Sequence, residues 1–471
     1  MSFLQIHPAD NVAVDTRTGH KQALTDIPAG ANVIKYGFPI GHATADIKAG
    51  EHVHTHNMAT NLRDKSEYTY TPISANEAEK RMQSKSEDDR SGQLPGSIFA
   101  YERADGNIGI RNDIWIINTV GCVNKLAETL SRRTGAYAFP HPYGCSQLGG
   151  DHKTTQRILK GLVLHPNAGG VLVLGLGCEN NNLEEFKKVL GPVDERRVRF
   201  LNAQSCEDEV EEGIRLIREL QEVASHDKRV AVPVSKLRVG LKCGGSDGFS
   251  GITANPLIGR FSDWLCAQGG TTVLTEVPEM FGAEQLLMDR CINRDVFDKT
   301  VALINDFKDY FTDHGQAIYE NPSPGNKEGG ITTLEEKSLG CTQKGGTSPV
   351  VDVLNYGDVA VKGGLNLLNG PGNDMVAVTN LTAAGCHLIV FSTGRGTPLG
   401  APVPTVKVGT NSDISRRKKN WIDFDAGPMI DGADLTTEFI GYLLGVAEGR
   451  ETCNEKNGYR EIAIFKDGVT L

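Results

Sequence analysis

The chain has 471 residues, of which 39% are apolar and 23% are charged, and this is enough for two or three soluble domains. No run of about 18 apolar residues predicts a membrane span, and the net charge of −10 argues against a nucleic-acid partner. The first residues lack an export signal, so we expect a cytoplasmic protein whose ten cysteines are reduced thiols.

Residues 1–75 predict a small β-rich module, because short strand-like runs alternate with glycine turns. His52, His54 and His56 alternate within this module, so on a strand their side chains would project from one face. Three imidazoles on one face predict a metal site or a general base. A solvent-exposed polar strand face is the alternative interpretation.

The charged, apolar-poor residues 76–95 predict a linker. A larger α/β region follows, and a weaker boundary divides it into residues 96–232 and 233–471. Helix-like stretches follow most of its apolar runs. Buried parallel strands are predicted by the runs 114–120, 170–174, 198–201 and 237–241, and more weakly by 136–140.

Five cysteines stand at or just after these predicted strands, namely Cys122, Cys145, Cys178, Cys206 and Cys243. The carboxyl ends of parallel strands share one edge, where ligands bind, so we expect at least two of these thiols to line one crevice. Free cysteines that act as small buried hydrophobes are the alternative.

The segment Cys243–Pro256 carries a thiol, a carboxylate, hydroxyls and an amide within a glycine-rich turn that follows an apolar run. Such a turn lets backbone N–H groups approach a ligand closely. Ser246, Asp247 and Asn255 of this turn are candidate ligand-binding residues that offer donors and acceptors, and Asp247 is a candidate catalytic group as well.

Basic side chains at three other turns are predicted to contact an anionic substrate. Arg111, followed by Asn112, and Arg395, between two glycines, are suited to clamping a carboxylate. Lys337 would act as base or acid if burial lowered its pKa. Ordinary turn chemistry or a surface role for the arginines is the alternative.

The motifs His-Thr-His-Asn (54–57), Asp-Gly-x-x-Gly-x-Arg-Asn (105–112), Gly-Leu-Gly-Cys-Glu (175–179), Cys-Gly-Gly-Ser-Asp-Gly (243–248), Asn-Pro-Ser-Pro-Gly-Asn-Lys (321–327) and Thr-Gly-Arg-Gly (393–396) occur in this order. Together they resemble the altronate/galactarate dehydratase family, from about Val12 to about Glu448. The resemblance implies an α/β protein with a small N-terminal SAF-like β-clip domain, a linker and a large body with mainly parallel sheets.

The resemblance also implies Fe²⁺- or Mn²⁺-dependent removal of water from a sugar acid, either an altronate-like aldonate or a galactarate-like aldarate. The product would be a 2-dehydro-3-deoxy acid. A divalent metal would stabilise the enediolate formed by removal of the α-proton. We expect His54 and His56 to act as catalytic groups or as metal ligands together with Cys145, Cys178 and Cys243, across a cleft between the β-clip module and the body.

Three alternatives stay open. A sulfolactate sulfo-lyase is similar in sequence but divides these parts between two subunits. An iron–sulfur dehydratase would hold its cluster through three of Cys122, Cys145, Cys178 and Cys243. A non-catalytic sugar-acid-binding protein would retain the fold without turnover. A homo-oligomer is compatible with each of them.

Overall fold

The structure, a computed structural model, describes residues 3–63, 65, 67–73 and 94–471. The predicted linker falls almost entirely outside these residues. The described chain forms a small β-module followed by two regions built on parallel sheets, so the predicted α/β fold class with an N-terminal β-clip is confirmed. Within the described residues, no helix combines the length and apolarity that a membrane crossing needs.

The first domain contains seven short strands: β1 (Phe3–Leu4), β2 (Val12–Asp15), β3 (Lys21–Ala23), β4 (Asn32–Lys35), β5 (Phe38–Ala43), β6 (His52–Val53) and β7 (Met58–Ala59). They form two antiparallel sheets, β1-β2-β3-β6 and β4-β5-β7. Apolar side chains such as Val12, Val33 and Ile40 are buried between them, and the same core includes Ala283 and Leu339 from the body. The domain therefore completes its core against the rest of the chain.

The second region has seven strands: β8 (Ser97–Glu102), β9 (Ile108–Gly109), β10 (Asp113–Asn118), β11 (Tyr137–Phe139), β12 (Ala168–Gly175), β13 (Val198–Asn202) and β14 (Arg229–Pro233). Its helices are α1 (Asn124–Thr134), α2 (Gly149–Val163), α3 (Leu183–Leu190) and α4 (Glu209–Ser225). Strands β11-β10-β12-β13 form a parallel sheet, and β14-β8-β9 form a separate antiparallel sheet. Helices cover both faces of the parallel sheet, because its central strands are apolar throughout.

The third region has a seven-stranded sheet of β15 (Arg238–Cys243), β16 (Thr271–Leu274), β17 (Val350–Leu354), β18 (Gly364–Leu368), β19 (Leu388–Thr393), β20 (Thr405–Gly409) and β21 (Phe424–Asp425). Its helices are α5 (Ala254–Ala267), α6 (Glu284–Met288), α7 (Arg294–Asp313), α8 (Pro324–Glu328), α9 (Leu334–Cys341), α10 (Asp374–Ala383), α11 (Ser412–Arg417), α12 (Thr436–Ala447) and α13 (Cys453–Asn457). All pairings are parallel, in the order β17-β18-β16-β15-β19-β20-β21. The central strand β15 ends at Cys243.

The expectation that Cys145 and Cys178 act together with Cys243 as metal ligands requires correction. Cys243 ends β15 of the third region, whereas Cys122, Cys145, Cys178 and Cys206 follow β10, β11, β12 and β13 of the second. The chain leaves the second sheet through the antiparallel strand β14 and then begins a new parallel sheet. The cysteines therefore lie at the carboxyl edges of two different sheets.

Candidate active site

A cleft of about 560 Å³ lies at the carboxyl edge of the seven-stranded sheet, next to the Gly244-Gly245 turn that follows β15. One part of its lining is apolar and consists of Phe307, Tyr310, Phe311, Ile318, Met375 and Phe465, besides prolines and glycines. Its polar lining consists of Glu279, Asn321, Ser323, Asn326, Lys337, Asn373 and Asp374. An apolar pocket with a few convergent polar groups is the usual form of a small-molecule site.

Helix caps fix several of these polar groups. Ser323 caps α8 in a reciprocal capping box with Asn326, and Asn373 caps α10 by accepting the backbone N–H of Val376. Asn326 Nδ2 also donates to the Ser246 carbonyl oxygen at 2.8 Å. The loop before α8 is therefore held against the glycine-rich turn.

Lys337 and Glu279 form a buried ion pair in the cleft, with 2.8 Å between Nζ and Oε1. Lys337 also donates to Asn321 Oδ1 at 3.0 Å. Burial alone would lower the pKa of Lys337, but the Glu279 carboxylate outweighs it and holds that pKa above its ordinary value. Lys337 is therefore an ammonium group, suited to binding a carboxylate or donating a proton.

Two thiols adjoin this pair. Cys243 Sγ lies 3.0 Å from Glu279 Oε2 and 3.3 Å from Cys341 Sγ, and all three residues are buried. The hydrogen bond from the Cys341 thiol lowers the pKa of Cys243 to about 6, with help from the ammonium groups of Lys344 and Lys242. The pKa of Cys341 is raised in turn by this hydrogen bond and by burial.

Two further buried lysines balance the acidic groups around Cys243. Lys242 pairs with Glu276 and lies 2.7 Å from Asp374 Oδ1, and Lys344 Nζ lies 3.9 Å from Glu276 Oε2. Glu276 has a backbone φ of +69°, which is rare for a residue with a side chain. Strain of this kind is concentrated at functional sites, where surrounding contacts hold it in place.

Sequence reasoning identified Lys337 and Cys243 but missed Glu276, Glu279 and Cys341. Lys337 and Cys341 are four residues apart on α9, so they share one helix face, and this spacing was the available signal. The glutamates follow β16 in a segment without a recognisable motif. Their role became visible only when β16 was placed beside β15.

His54 of the first domain contacts helix α8 of the body. His54 Nε2 lies 2.8 Å from the Lys327 carbonyl oxygen and must donate to it, while His54 Nδ1 accepts the Thr55 N–H at 2.7 Å. Both ring nitrogens of His54 are thus used. Burial holds the pKa of His54 below its ordinary value, and in this structure the ring docks the first domain against α8.

The neighbouring rings of His52 and His20 form a chain of hydrogen bonds to the body. His20 Nε2 lies 3.1 Å from the Glu328 carbonyl oxygen, and His52 Nε2 lies 3.2 Å from His20 Nδ1. Because a carbonyl only accepts, His20 Nε2 donates to that oxygen. The predicted site residue His56 is exposed and stacks on His52 with 5.5 Å between ring centroids.

A buried ionic triad joins the first domain to α9. Glu336 accepts from Lys21 Nζ and from Lys35 Nζ, each at 2.8 Å, and all three side chains are at most 1% exposed. Lys21 also donates to the Gly330 carbonyl oxygen and to Thr332 Oγ1, both at 2.7 Å. The next helical residue of α9, Lys337, belongs to the cleft, so the triad fixes the helix that presents it.

The candidate ligand-binding residues of the glycine-rich turn mostly support the backbone. Asp247 accepts from Thr410 Oγ1, Asn411 Nδ2 and Ser250 Oγ, at 2.9, 3.1 and 3.0 Å. Burial raises the pKa of Asp247. Its carboxylate is occupied in holding two loops together, and this makes it a structural rather than a catalytic group.

Asn255 and Ser246 are the other two candidate ligand-binding residues of that turn. Asn255 donates to the Gly340 carbonyl oxygen at 3.0 Å and accepts from Ser392 Oγ at 2.6 Å, so its amide is also committed. Ser246 Oγ is buried and has no hydrogen-bond partner among the described residues. It adjoins a cavity of about 10 Å³, which is room for about one water molecule.

Arg111 serves to join two regions of the body, away from the cleft. Its Nε and Nη2 donate to Glu455 at 2.6 and 2.9 Å, and its remaining donors reach the carbonyl oxygens of Ile110, Val446 and Arg450. With every donor used inside the protein, Arg111 cannot also clamp a substrate carboxylate.

Replacement of Arg111 by alanine should therefore reduce stability and spare turnover. It leaves the Glu455 carboxylate buried without its bidentate partner, which costs about 3–5 kcal/mol. Urea unfolding measures this loss, and kcat/KM of the folded fraction should stay at the wild-type value. The exposed pair partner Arg17 provides the control, since its alanine variant should unfold like the wild type. A large fall in kcat/KM would restore the substrate-binding role.

The remaining predicted residues lie at the periphery. Asn112 donates to the Ala224 carbonyl oxygen at 2.9 Å and accepts from Arg103, within the second region. Arg395 is partly exposed and contacts the Gly325 carbonyl oxygen at 3.0 Å and Glu328 at 2.9 Å, next to the loop that lines the cleft. Cys145 and Cys178 are exposed at the other sheet and do not join Cys243.

Fold and site together define an α/β enzyme with an N-terminal β-module and an acid–base cluster at the edge of a parallel sheet. Three family models match the chain: Altronate/galactarate dehydratase SAF domain at 14–61, D-galactarate dehydratase/Altronate hydrolase, second domain, at 100–225, and D-galactarate/Altronate dehydratase, C-terminal, at 234–470. The chain belongs to the altronate/galactarate dehydratase family and is a hydro-lyase of that type. The predicted family and enzyme class are thereby confirmed.

Full-length relatives agree with this membership. Altronate dehydratase from Escherichia coli (strain K12) is 53% identical and altronate dehydratase from Bacillus subtilis (strain 168) is 52% identical, with all of both chains covered in each case. Galactarate dehydratase (L-threo-forming) from Escherichia coli (strain K12) is 31% identical over 98% of this chain and 96% of the relative.

Proposed function

We propose that this chain removes water from altronate, an aldonate, to give a 2-dehydro-3-deoxy acid, and that the reaction takes place in the cleft beside Lys337. The observation that carries the proposal is the buried Lys337–Glu279 pair, which holds an ammonium group among amide and hydroxyl side chains. The two full-length relatives above 50% identity, both called altronate dehydratase, support this substrate over galactarate.

The charge of the cleft favours a monocarboxylate. Lys337 is the one cationic side chain among the described residues that line it. An aldonate has one carboxylate and an aldarate has two. A second carboxylate would lie near Glu279 or Asp374, and no second lysine or arginine lines the described part of the cleft to bind it. The amide of Asn321 suits the hydroxyl groups of a sugar chain.

Elimination requires removal of the α-proton and protonation of the departing hydroxyl. Lys337 is assigned the second role, because it is an ammonium group that lines the cleft beside Glu279. The sequence alone allowed Lys337 as base or acid with a pKa lowered by burial, whereas its pKa is raised in the structure. Asn321 orients the ammonium group through its 3.0 Å hydrogen bond.

A metal ion fits the residues next to this acid. Donor atoms of Cys243, Glu279 and Cys341 lie within 4.8 Å of one another, and they form the one such group among the described residues. Thiolate donors favour Fe²⁺ over Mn²⁺. When bound, the ion would supply Lewis-acid stabilisation of negative charge on substrate oxygens. Lys242, Lys337 and Lys344 attract the same anionic donors, so binding should be weak enough for a chelator to reverse.

The proposal is tested by an anaerobic assay of 2-dehydro-3-deoxy acid formation from altronate, galactarate, glucarate and related aldonates, with sulfolactate included. Altronate should give the highest kcat/KM. Preference for an aldarate would contradict the charge argument. Sulfite release from sulfolactate alone would favour a carbon–sulfur lyase, and binding without any turnover would favour a sugar-acid-binding protein.

Metal removal should lower turnover in a reversible way. We expect chelator-stripped protein to lose most of its activity, and Fe²⁺ to restore it more fully than Mn²⁺. Replacement of Cys341 by serine should weaken Fe²⁺ retention on dialysis, measured as metal content. The matched control is Cys266→Ser, since Cys266 is equally buried but contacts Thr272 instead. Full turnover by the stripped protein would contradict the metal part of the proposal.

A further inference from the structure

Three Gly-Cys pairs follow three adjacent strands of the second region. Gly121-Cys122 follows β10, Gly144-Cys145 follows β11 and Gly177-Cys178 follows β12, and β10 lies between the other two. All three thiols are exposed. None of them takes part in the dehydration site proposed above, which lies on the other sheet.

The three loops are bound directly to one another. Gly121 N donates to the Tyr143 carbonyl oxygen at 2.9 Å, and Asn181 N donates to the Gly144 carbonyl oxygen at 3.0 Å. The loops after β11 and β12 therefore meet across the end of β10. Gly144 has a φ of +100°, and a Cβ there would lie 1.9 Å from the Thr119 carbonyl oxygen, so only glycine allows this approach.

The surroundings of the sulfurs are polar and held in place. Asn180 Oδ1, on the loop after β12, lies 3.5 Å from Cys145 Sγ and accepts the Ser146 N–H at 3.1 Å. Gln204 Nε2 donates to Cys178 Sγ at 3.5 Å. Ser146 has a φ of +60°, the strained left-handed conformation, directly after Cys145.

A second observation at this edge indicates a missing ligand. Gln147 is 3% exposed, and its Oε1 accepts the Gly144 N–H at 3.1 Å. Its Nε2 finds no hydrogen-bond partner within the part of the chain that the structure describes. An amide donor that is buried two residues from Cys145 without a partner is unfavourable unless a further group binds there.

The three thiols are too far apart for all of them to bind one metal ion, but an iron–sulfur cluster is larger than one ion. In the described chain, the three cysteines do not bring their sulfurs within 4.8 Å of one another, as Cys243, Glu279 and Cys341 do with their donor atoms. An iron–sulfur cluster contains several irons and so takes its thiolates at wider separations than one ion does. Amide donors to sulfur, such as Gln204, are typical of cluster environments.

We propose that Cys122, Cys145 and Cys178 bind an iron–sulfur cluster at the carboxyl edge of the second region. Each thiol loses its proton as its sulfur bonds to one iron. A four-iron cluster usually has four thiolates, so three leave one iron open to water or to a hydroxyl oxygen. Cys206, which follows the fourth strand, is half-buried and donates to the Asn202 carbonyl oxygen at 3.3 Å, so it is outside the set.

The test uses the full-length protein, reconstituted anaerobically with Fe²⁺ and sulfide and then desalted. Bound iron, acid-labile sulfide and visible absorption are measured, with electron paramagnetic resonance after reduction. After a chelator wash that removes the ion from the cleft, we expect iron and sulfide in equal amounts in the wild type. Each of Cys122→Ser, Cys145→Ser and Cys178→Ser should lose most of both, and Cys206→Ser should retain them. Circular dichroism checks that each variant is folded.

Two outcomes would overturn the proposal: a wild type that retains no more sulfide than the triple serine variant, or a Cys206→Ser variant as depleted as the other three. Iron without sulfide, lost on Cys341→Ser, would locate the metal at the cleft instead. Turnover is measured separately on Lys337→Met, which should lose activity but keep the cluster. Failure of the cluster and failure of the proposed dehydration are therefore distinguishable.

Discussion

Replacement of Lys337 by methionine is expected to lower kcat/KM by a factor of about 10²–10⁴, the usual contribution of a positioned proton donor. Methionine retains much of the length of the side chain but carries no proton to donate to the departing hydroxyl. It also removes the one cation that lines the described cleft. Steady-state kinetics with altronate under anaerobic conditions measure the loss.

The same change leaves the buried Glu279 carboxylate without its closest ammonium group, so loss of activity must be separated from loss of folding. The double variant Lys337→Met/Glu279→Gln removes both charges and should recover stability without recovering turnover. Lys362→Met, which removes the exposed ammonium partner of Asp352, is the control outside the cleft and should leave kcat/KM unchanged. Wild-type kcat/KM in a folded Lys337→Met variant would contradict the assignment.

Replacement of Glu336 by glutamine is expected to lower the free energy of unfolding by about 3–5 kcal/mol, because two buried ammonium groups lose their shared carboxylate. Asp26→Asn, which breaks an exposed pair with Lys48 in the same domain, should have little effect. Denaturant unfolding at pH 7 compares the two variants. Equal midpoints would show that the triad does not hold the domain in place.

The stability contributed by Glu336 depends on pH. Lys21 and Lys35 outweigh the effect of burial and hold the pKa of Glu336 at about 2, below its unfolded value. The wild type therefore has the full contribution above that unfolded value and loses it as the pH falls towards 2. In the glutamine variant, Lys21 lacks a counter-charge, and burial already lowers its pKa to about 8. The folded variant then binds fewer protons than the unfolded chain. The difference in free energy of unfolding between the wild type and the variant should therefore shrink as the pH rises above 7.

The fold could be predicted well from the sequence, because its signals are local. Apolar runs such as 170–174 and 237–241 are strands β12 and β15, and helical stretches follow them. Glycine turns at Gly30 and Gly50 indicated the β-module, and both have positive φ. The assignment of strands to two sheets was not available, since it depends on pairing between residues far apart in the chain.

The site was predicted less well for the same reason. Cys243 and Lys337 stand in recognisable motifs, but Glu279 has a role only through its 2.8 and 3.0 Å contacts with them. Arg111 and Asp247 are the reverse case, because the sequence singled them out as substrate-binding or catalytic residues. Their residue types suit substrate binding, yet packing uses all their hydrogen-bonding capacity inside the protein, and a motif does not show which partners a side chain already has.

The ionic triad has a consequence for the autonomy of the β-module. Lys21 and Lys35 are buried only because Glu336 belongs to the body, and the apolar core of the module is closed by Ala283 and Leu339 from the same body. These contacts are specific to the two surfaces and do not depend on the peptide linkage between them. The linkage mainly raises the effective concentration of one part near the other. The module and the body are therefore complementary fragments, because each supplies charged and apolar side chains that the other needs to bury its own.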